Sequence, residues 1–214
     1  AVLEGAAQAV KEYGVTVVGV GNEALVRRTA QENSIPLDGI ELVNCTEVID
    51  MCDEPARAIR QNLFMNCQAT EGRHDFVTGA RVCGPNVFYN CTASQTYADI
   101  GPHHRWASGT LYDNIITDGE INVQDRGNWG SGHGWAGVTQ VLWNCRAKAA
   151  TVQSPWVSGD NYCFGLKGEK TEGRLSGRPD GVWEGQGETN VFPRSLYVAQ
   201  LMVRQGVNLG SLKK

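Results

Sequence analysis

Three stretches of the chain repeat one phrase: NLFMNCQAT from Asn62, NVFYNCTAS from Asn86 and QVLWNCRAK from Gln140. A fourth, TLYDNIITD from Thr110, carries Ile115 where the others carry cysteine. Aligned on Asn66, Asn90, Asn114 and Asn144, the spacings are 24, 24 and 30 residues. A recurring period of this size marks a solenoid, in which each coil buries its apolar face only against its neighbours. Helical repeats would need apolar residues at 3.6-residue spacing, whereas these runs are short, aromatic or β-branched, and interleaved with Gly and Asn. They predict short strands joined by turns.

A right-handed parallel β-helix accounts for the pattern. Asparagine tolerates left-handed backbone at a tight turn, and its amide can bond to the asparagine one coil away. The residue after it, Cys67, Cys91, Ile115 or Cys145, then points inward as a small hydrophobe. These thiols are expected to be buried and free. On these residues, 62–206 resembles the pectate-lyase-like β-helix proteins, and 193-PRSLYVAQLMVRQG-206 is similar to the short closing helix of bacterial members, with 207–214 as a tail. The resemblance implies a polysaccharide-acting protein, since the group spans polysaccharide lyases, glycoside hydrolases and non-catalytic adhesins.

The first 61 residues are written differently. They lack all six Trp and all five Phe and hold 10 acidic against 5 basic side chains. AVLEGAAQAVKEY spaces its apolar residues for a helix, VTVVGVG reads as a buried strand, NEALVRRTAQEN as a second helix and IELVN as a second strand. Pro55 suits the first turn of a third helix in DEPARAIRQ. The run GVGNEA is a strand end leading into a helix, without a complete phosphate loop. The segments EGAAQAVKEYGVTVVGVGNEALVRRTAQEN and TEVIDMCDEPARAIRQ resemble the N-terminal part of the bacterial phosphate acyltransferase of phospholipid synthesis. That family's opening Asp- and Gly-rich strand-loop and its remaining domain are absent here. The resemblance therefore implies a truncated α/β piece, inactive alone, either a fragment or one half of a chimera. Such a piece could cap the open end of a β-helix.

Composition excludes several classes. A net charge of −4 gives no nucleic-acid or anionic-membrane surface. No apolar run approaches the roughly 20 residues that span a bilayer. Seven cysteines without a C-x-x-C pair speak against a full disulfide framework or a zinc cluster. No metal is expected. Calcium could draw on turn carboxylates, but no D-x-D-x-D loop supports it. Asn44 and Asn90 stand in N-C-T sequons, which matter only in a glycosylating compartment.

Chemistry concentrates in GPHHRWASG and DRGNWGSGHGWAG, which hold three of the four histidines and three of the six tryptophans about one coil apart. The candidate catalytic residues are His104, His133, Arg105, Arg126 and Asp125; the candidate binding residues are His103, Trp106, Trp129 and Trp135. Tryptophan faces stack on sugar rings, and arginine clamps a uronate carboxylate through paired hydrogen bonds. A lyase needs a base beside that carboxylate, for which His104 or His133 serves, with Arg105 or Arg126 as clamp and Asp125 as orienter. A hydrolase would need two carboxylates about 5–10 Å apart, drawn from Asp113, Asp118, Glu120 and Asp125. The same side chains could equally hydrogen-bond neighbouring coils.

The sequence reading is thus a mainly β protein acting on an acidic polysaccharide, with a lyase, a non-catalytic binding module and an acyltransferase fragment as the competing functions. The β-helix part implies a secreted or surface location and the N-terminal resemblance a cytoplasmic one.

Overall fold

The computed structural model describes residues 7–8, 10–12, 14, 17–21, 23–44, 62–156, 159–187 and 189–206. Contacts divide the chain into two units, Ala1–Ala58 and Ile59–Lys214, close to the break in composition. The expected third helix at 53–61, the tail at 207–214, Cys45 and Cys52 lie outside the described residues.

In the first unit, strands Val17–Gly21 and Ile40–Asn44 pair in parallel from Val17↔Ile40 to Gly21↔Asn44. Parallel strands need a crossover, and the helix Glu23–Glu32 supplies it. Asn33 ends that helix by donating its side-chain amide to the Thr29 carbonyl at 2.8 Å, and Ser34 follows in left-handed backbone at φ 54°. Residues 7–8 and 10–12 are also helical.

The second unit is a β-solenoid of about five turns. Its main sheet stacks Leu63–Met65, Cys83–Tyr89, Ala107–Asp113, Val141–Trp143, Tyr162–Phe164 and Val182–Glu184 in chain order, every pair parallel. The register aligns Phe64, Phe88, Tyr112, Leu142, Cys163 and Trp183 in one row. Because successive strand residues face opposite sides, this row enters the core while its neighbours face out. Phe88, Tyr112, Leu142 and Cys163 are buried, and the Phe64, Phe88 and Tyr112 rings stack at 4.9 and 5.4 Å. A second sheet runs through Gln68–Thr70, Thr92–Ser94, Ile116–Thr117, Arg146–Val152 and Lys167–Lys170. Buried alanines such as Ala93, Ala147 and Ala150 keep that wall close to the first.

The asparagine turn stands where the spacing predicts it. Asn66, Asn90, Asn114 and Asn144 follow paired residues of the main sheet and have φ of 56, 52, 56 and 50°. The same position in the next two coils is held by Gly165 and Gly185, at φ 70 and 63°. Glycine enters that region without steric cost, so the turn continues after the asparagine signature stops.

The side-chain ladder is shorter than expected. Asn90 donates to Asn66 at 2.7 Å, but Asn114 and Asn144 turn their amides to the segment after the last coil. Asn114 donates to the Arg194 carbonyl at 2.9 Å; Asn144 donates to the Val191 carbonyl at 2.9 Å and accepts from its N–H at 2.8 Å. Those backbone groups otherwise have no strand to pair with, so the amides that would have bonded each other hold them instead. The segment leads into the helix Leu196–Arg204, capped by Ser195, whose hydroxyl donates to the buried carboxylate of Asp113 at 2.7 Å.

Cys91, Cys145 and Cys163 are buried and free, whereas Cys67, at the first coil, is half-buried. Burial pushes the Cys91 thiol up to about 11 and the Cys145 thiol up to about 12. The thiolate is the reactive form, so site-resolved alkylation at neutral pH should label Cys67 well before Cys91 and Cys145, and all of them quickly in denaturant. Equal native rates for the three would contradict this packing.

Candidate functional site

The candidate residues fall on loops that follow one another up the solenoid. His103 and His104 lie just after the short strand Gly101–Pro102, with the His103 N–H bonded to the Thr78 carbonyl of the coil below at 2.9 Å. His133 ends an excursion from Asp125 to Trp135, two residues joined by an antiparallel bridge. This loop closes on itself through Gly134 N–H to Gly127 O at 2.8 Å and His133 N–H to Trp129 O at 3.0 Å. Its return leg bonds downward, since Arg105 donates its N–H to His133 O at 3.0 Å and Trp106 to Trp135 O at 2.8 Å. Backbone pairing therefore seats His133 on Arg105 and Trp135 on Trp106.

This brings the three expected histidines together, and a fourth joins them. Ring centroids lie 5.3 Å apart for His103–His104, 4.8 Å for His103–His133, 5.2 Å for His104–His133 and 4.4 Å for His74–His103. All four histidines of the chain thus form one contact cluster, and each remains partly solvent-accessible. His133 Nδ1 faces the Trp129 carbonyl, which can only accept, so this nitrogen carries the proton of the neutral ring. His133 Nε2 is then the acceptor in its 3.2 Å contact with His103 Nε2. Burial first, and then the charges of His74, Arg126, His133 and His104, hold the His103 pKa down to about 4. His104 stands outside this bonded pair, its Nδ1 buried without a partner.

The charged candidates divide. Arg105 is exposed; its Nε and Nη2 donate to the Gly132 and Ser131 carbonyls at 2.9 and 2.5 Å, and no partner holds Nη1 among the described residues. Arg126 is buried and its guanidinium pairs with Asp99, so it is not an open clamp. Asp125 does not orient a histidine: it accepts from Arg178 Nε at 2.7 Å and from Gly127 N–H at 2.8 Å. The carboxylate that reaches an imidazole is Asp99, 3.3 Å from His74 Nδ1.

The other carboxylates named for hydrolysis are engaged structurally. Asp113 holds the C-terminal helix, accepting also from the Tyr197 N–H at 2.7 Å, and burial raises its pKa. Asp118 accepts from the Gln95 and Thr96 N–H groups, which hold its carboxyl below the usual range. Glu120 accepts from Asn122 at 3.1 Å.

The tryptophans form two aromatic–cation groups. Trp129 lies under Arg174 and Arg126, at 5.0 and 6.0 Å. Trp135 meets the exposed Trp156 edge-on at 5.4 Å, and Arg178 covers Trp156 at 5.1 Å. Trp106 is exposed, and both it and Arg105 occupy left-handed backbone, at φ 57 and 48°. Such a conformation is a genuine outlier for a bulky side chain and costs about 1–3 kcal/mol. The structure keeps this pair strained at the edge of the histidine cluster.

His74, Asp99, Trp156, Arg174 and Arg178 complete the neighbourhood. The spacings of 29 and 30 residues from His74 to His103 and from His103 to His133 are the signal that would have found His74. Among the described residues no group of three His, Cys, Asp or Glu is placed to hold a metal ion, and no helix is long and apolar enough to cross a membrane. The largest groove, about 540 Å³, runs between the Asn90–Asn114 turn and the C-terminal segment; none of the histidines lines it.

No family model matches the chain, and no solved structure does. Among curated proteins, it is 34% identical over 59 residues to the phosphate acyltransferase of Alkaliphilus oremlandii, covering 28% of this chain and 18% of that protein. It is 38% identical over 58 residues to the phosphate acyltransferase of Dictyoglomus thermophilum, covering 27% and 17%. The chain spans less than a fifth of the length of these relatives.

Proposed function

We propose that the solenoid acts on an acidic, uronate-bearing polysaccharide held on the histidine face. The observation that carries this reading is the gathering of all four imidazoles into one cluster seated against Arg105 and Trp106. An overall acidic chain has no general reason to collect these groups. Exposed Trp106 offers a ring face to a sugar, and the Nη1 edge of Arg105 offers donors to its carboxylate.

Retention on an immobilised polyuronate, compared with its neutral methyl ester, tests the reading. The chain should be retained by the acid and not by the ester; passage through both would overturn it. Trp106→Ala is expected to weaken retention about fivefold, the loss of one stacking contact worth about 1 kcal/mol.

Elimination is a second reading, favoured by the position of His104 outside the His103–His133 pair. His104 would take the proton beside the carboxylate, its bonding pair would form the double bond, the glycosidic C–O bond would break, and the leaving oxygen would take a proton from water. Unsaturated uronate ends that cease to form in His104→Ala would support it, whereas retention without any product would leave binding alone.

For the first unit we propose an inactive acyltransferase-like fragment. Two strands and the short share of the relatives' length support that reading. Turnover of acyl-carrier protein with phosphate well above background would overturn it.

A further inference from the structure

Four imidazoles in mutual contact make a face whose charge depends on pH. The charged groups packed around them come from several coils. Asp99 is shared between His74 and the guanidinium of Arg126. Asp75 is buried and interacts electrostatically with His74. Arg105 lies beneath His133. Asp125 faces Arg178 rather than the rings. Once the imidazoles take protons, Asp99 is already engaged by Arg126, and the excess positive charge lacks an internal partner of comparable size.

We propose that the histidine cluster is a proton-gated anion site, which takes a carboxylate of the glycan as the imidazoles charge on acidification and releases it near neutral pH. This rests on the polysaccharide reading above and adds its regulation. Free imidazole titrates near pH 6.5, and a bound anion favours the charged ring; by linkage, charging the rings tightens the anion to the same extent. His103 is the exception within the cluster. Its pKa lies below the ordinary imidazole value, so it stays neutral while the solution passes through that range. The sign for the ligand-free fold follows. The contribution of His103 to stability is fully present above about pH 6.5 and is lost as pH falls toward about 4. An anion at the cluster offsets that loss, so ligand protection against heating should grow on acidification.

The test is calorimetric titration of the full chain with an oligogalacturonate and with its methyl ester, at about pH 5 and about pH 7.5, either side of the imidazole range. The acid oligomer should bind at least roughly tenfold tighter at the lower pH and the ester should show no such change. In the double variant His103→Gln with His133→Gln, the pH effect should fall below roughly threefold. Equal binding at both pH values, or tighter binding at the higher, overturns the gate while leaving the glycan reading intact; no binding at either overturns both. If near-ultraviolet dichroism shows the double variant misfolded, competition in the native chain decides. Inorganic sulfate should displace the oligomer at the lower pH only, and displacement equal at both pH values counts against the gate.

Discussion

Arg105→Ala is expected to weaken retention on an acidic polysaccharide by about tenfold to a hundredfold, since hydrogen bonds to a charged group contribute about 1.5–3 kcal/mol. The side chain is already held before any ligand arrives, by the Ser131 and Gly132 carbonyls. Its fork therefore loses little freedom on binding, which favours arginine over lysine. Arg105→Lys keeps the charge but not the planar fork, and should recover only part of the affinity, the part that fades as salt is added. The left-handed backbone at Arg105 persists in both variants, so any cost of that strain is common to them. If both variants bind like the parent, Arg105 serves only to pin the 131–132 backbone, and the face has lost its clamp.

The solenoid was legible because one local device repeats. A left-handed turn selects Asn strongly enough to leave a mark every 24 residues, and the residue after it must fill the same slot in each coil. Where glycine takes over, at Gly165 and Gly185, the coil continues but the mark vanishes. Glycine occurs at many turns and carries no flanking signature. The site was legible only as composition. His103, His104 and His133 sit in conspicuous Gly- and Trp-rich segments, and the coil spacing brings them together. Asp99 and His74 have unremarkable neighbours in sequence, and only stacking places them against Arg126 and His103.

Asp125 shows the converse failure. It stands next to Arg126 in the chain, yet its partner is Arg178, 53 residues further on. In a solenoid, what lies one coil away matters more than what lies one residue away. The asparagine amides make the same point: Asn114 and Asn144 had a partner of their own kind in view, but the chain's closing segment brought unpaired carbonyls to the same place.

Leu142→Ala is expected to be the most damaging core substitution, with a loss of about 3–4 kcal/mol out of the about 5–15 kcal/mol that hold a typical domain. Leu142 is fully buried in the inward row, between Tyr112 on one side and Cys163 on the other. Both neighbours belong to paired strands, so neither can move into the vacated volume without breaking register, and the cavity stays open. The position in the stack adds to this. A solenoid's stability is carried by contacts between adjacent coils, and a residue in a middle coil serves two such interfaces. Phe64, in the same row but half exposed at the first coil, serves one, so Phe64→Ala should cost clearly less. Urea unfolding followed by tryptophan fluorescence should show a lower midpoint for Leu142→Ala with an unchanged slope. Native-state alkylation offers a local reading: Cys145 and Cys163 should gain reactivity in this variant more than Cys91, which lies two coils away from Cys163. A loss below about 1 kcal/mol, the range expected for a site that can collapse or was never tightly filled, would sink the claim that this row is the solenoid's closely packed axis.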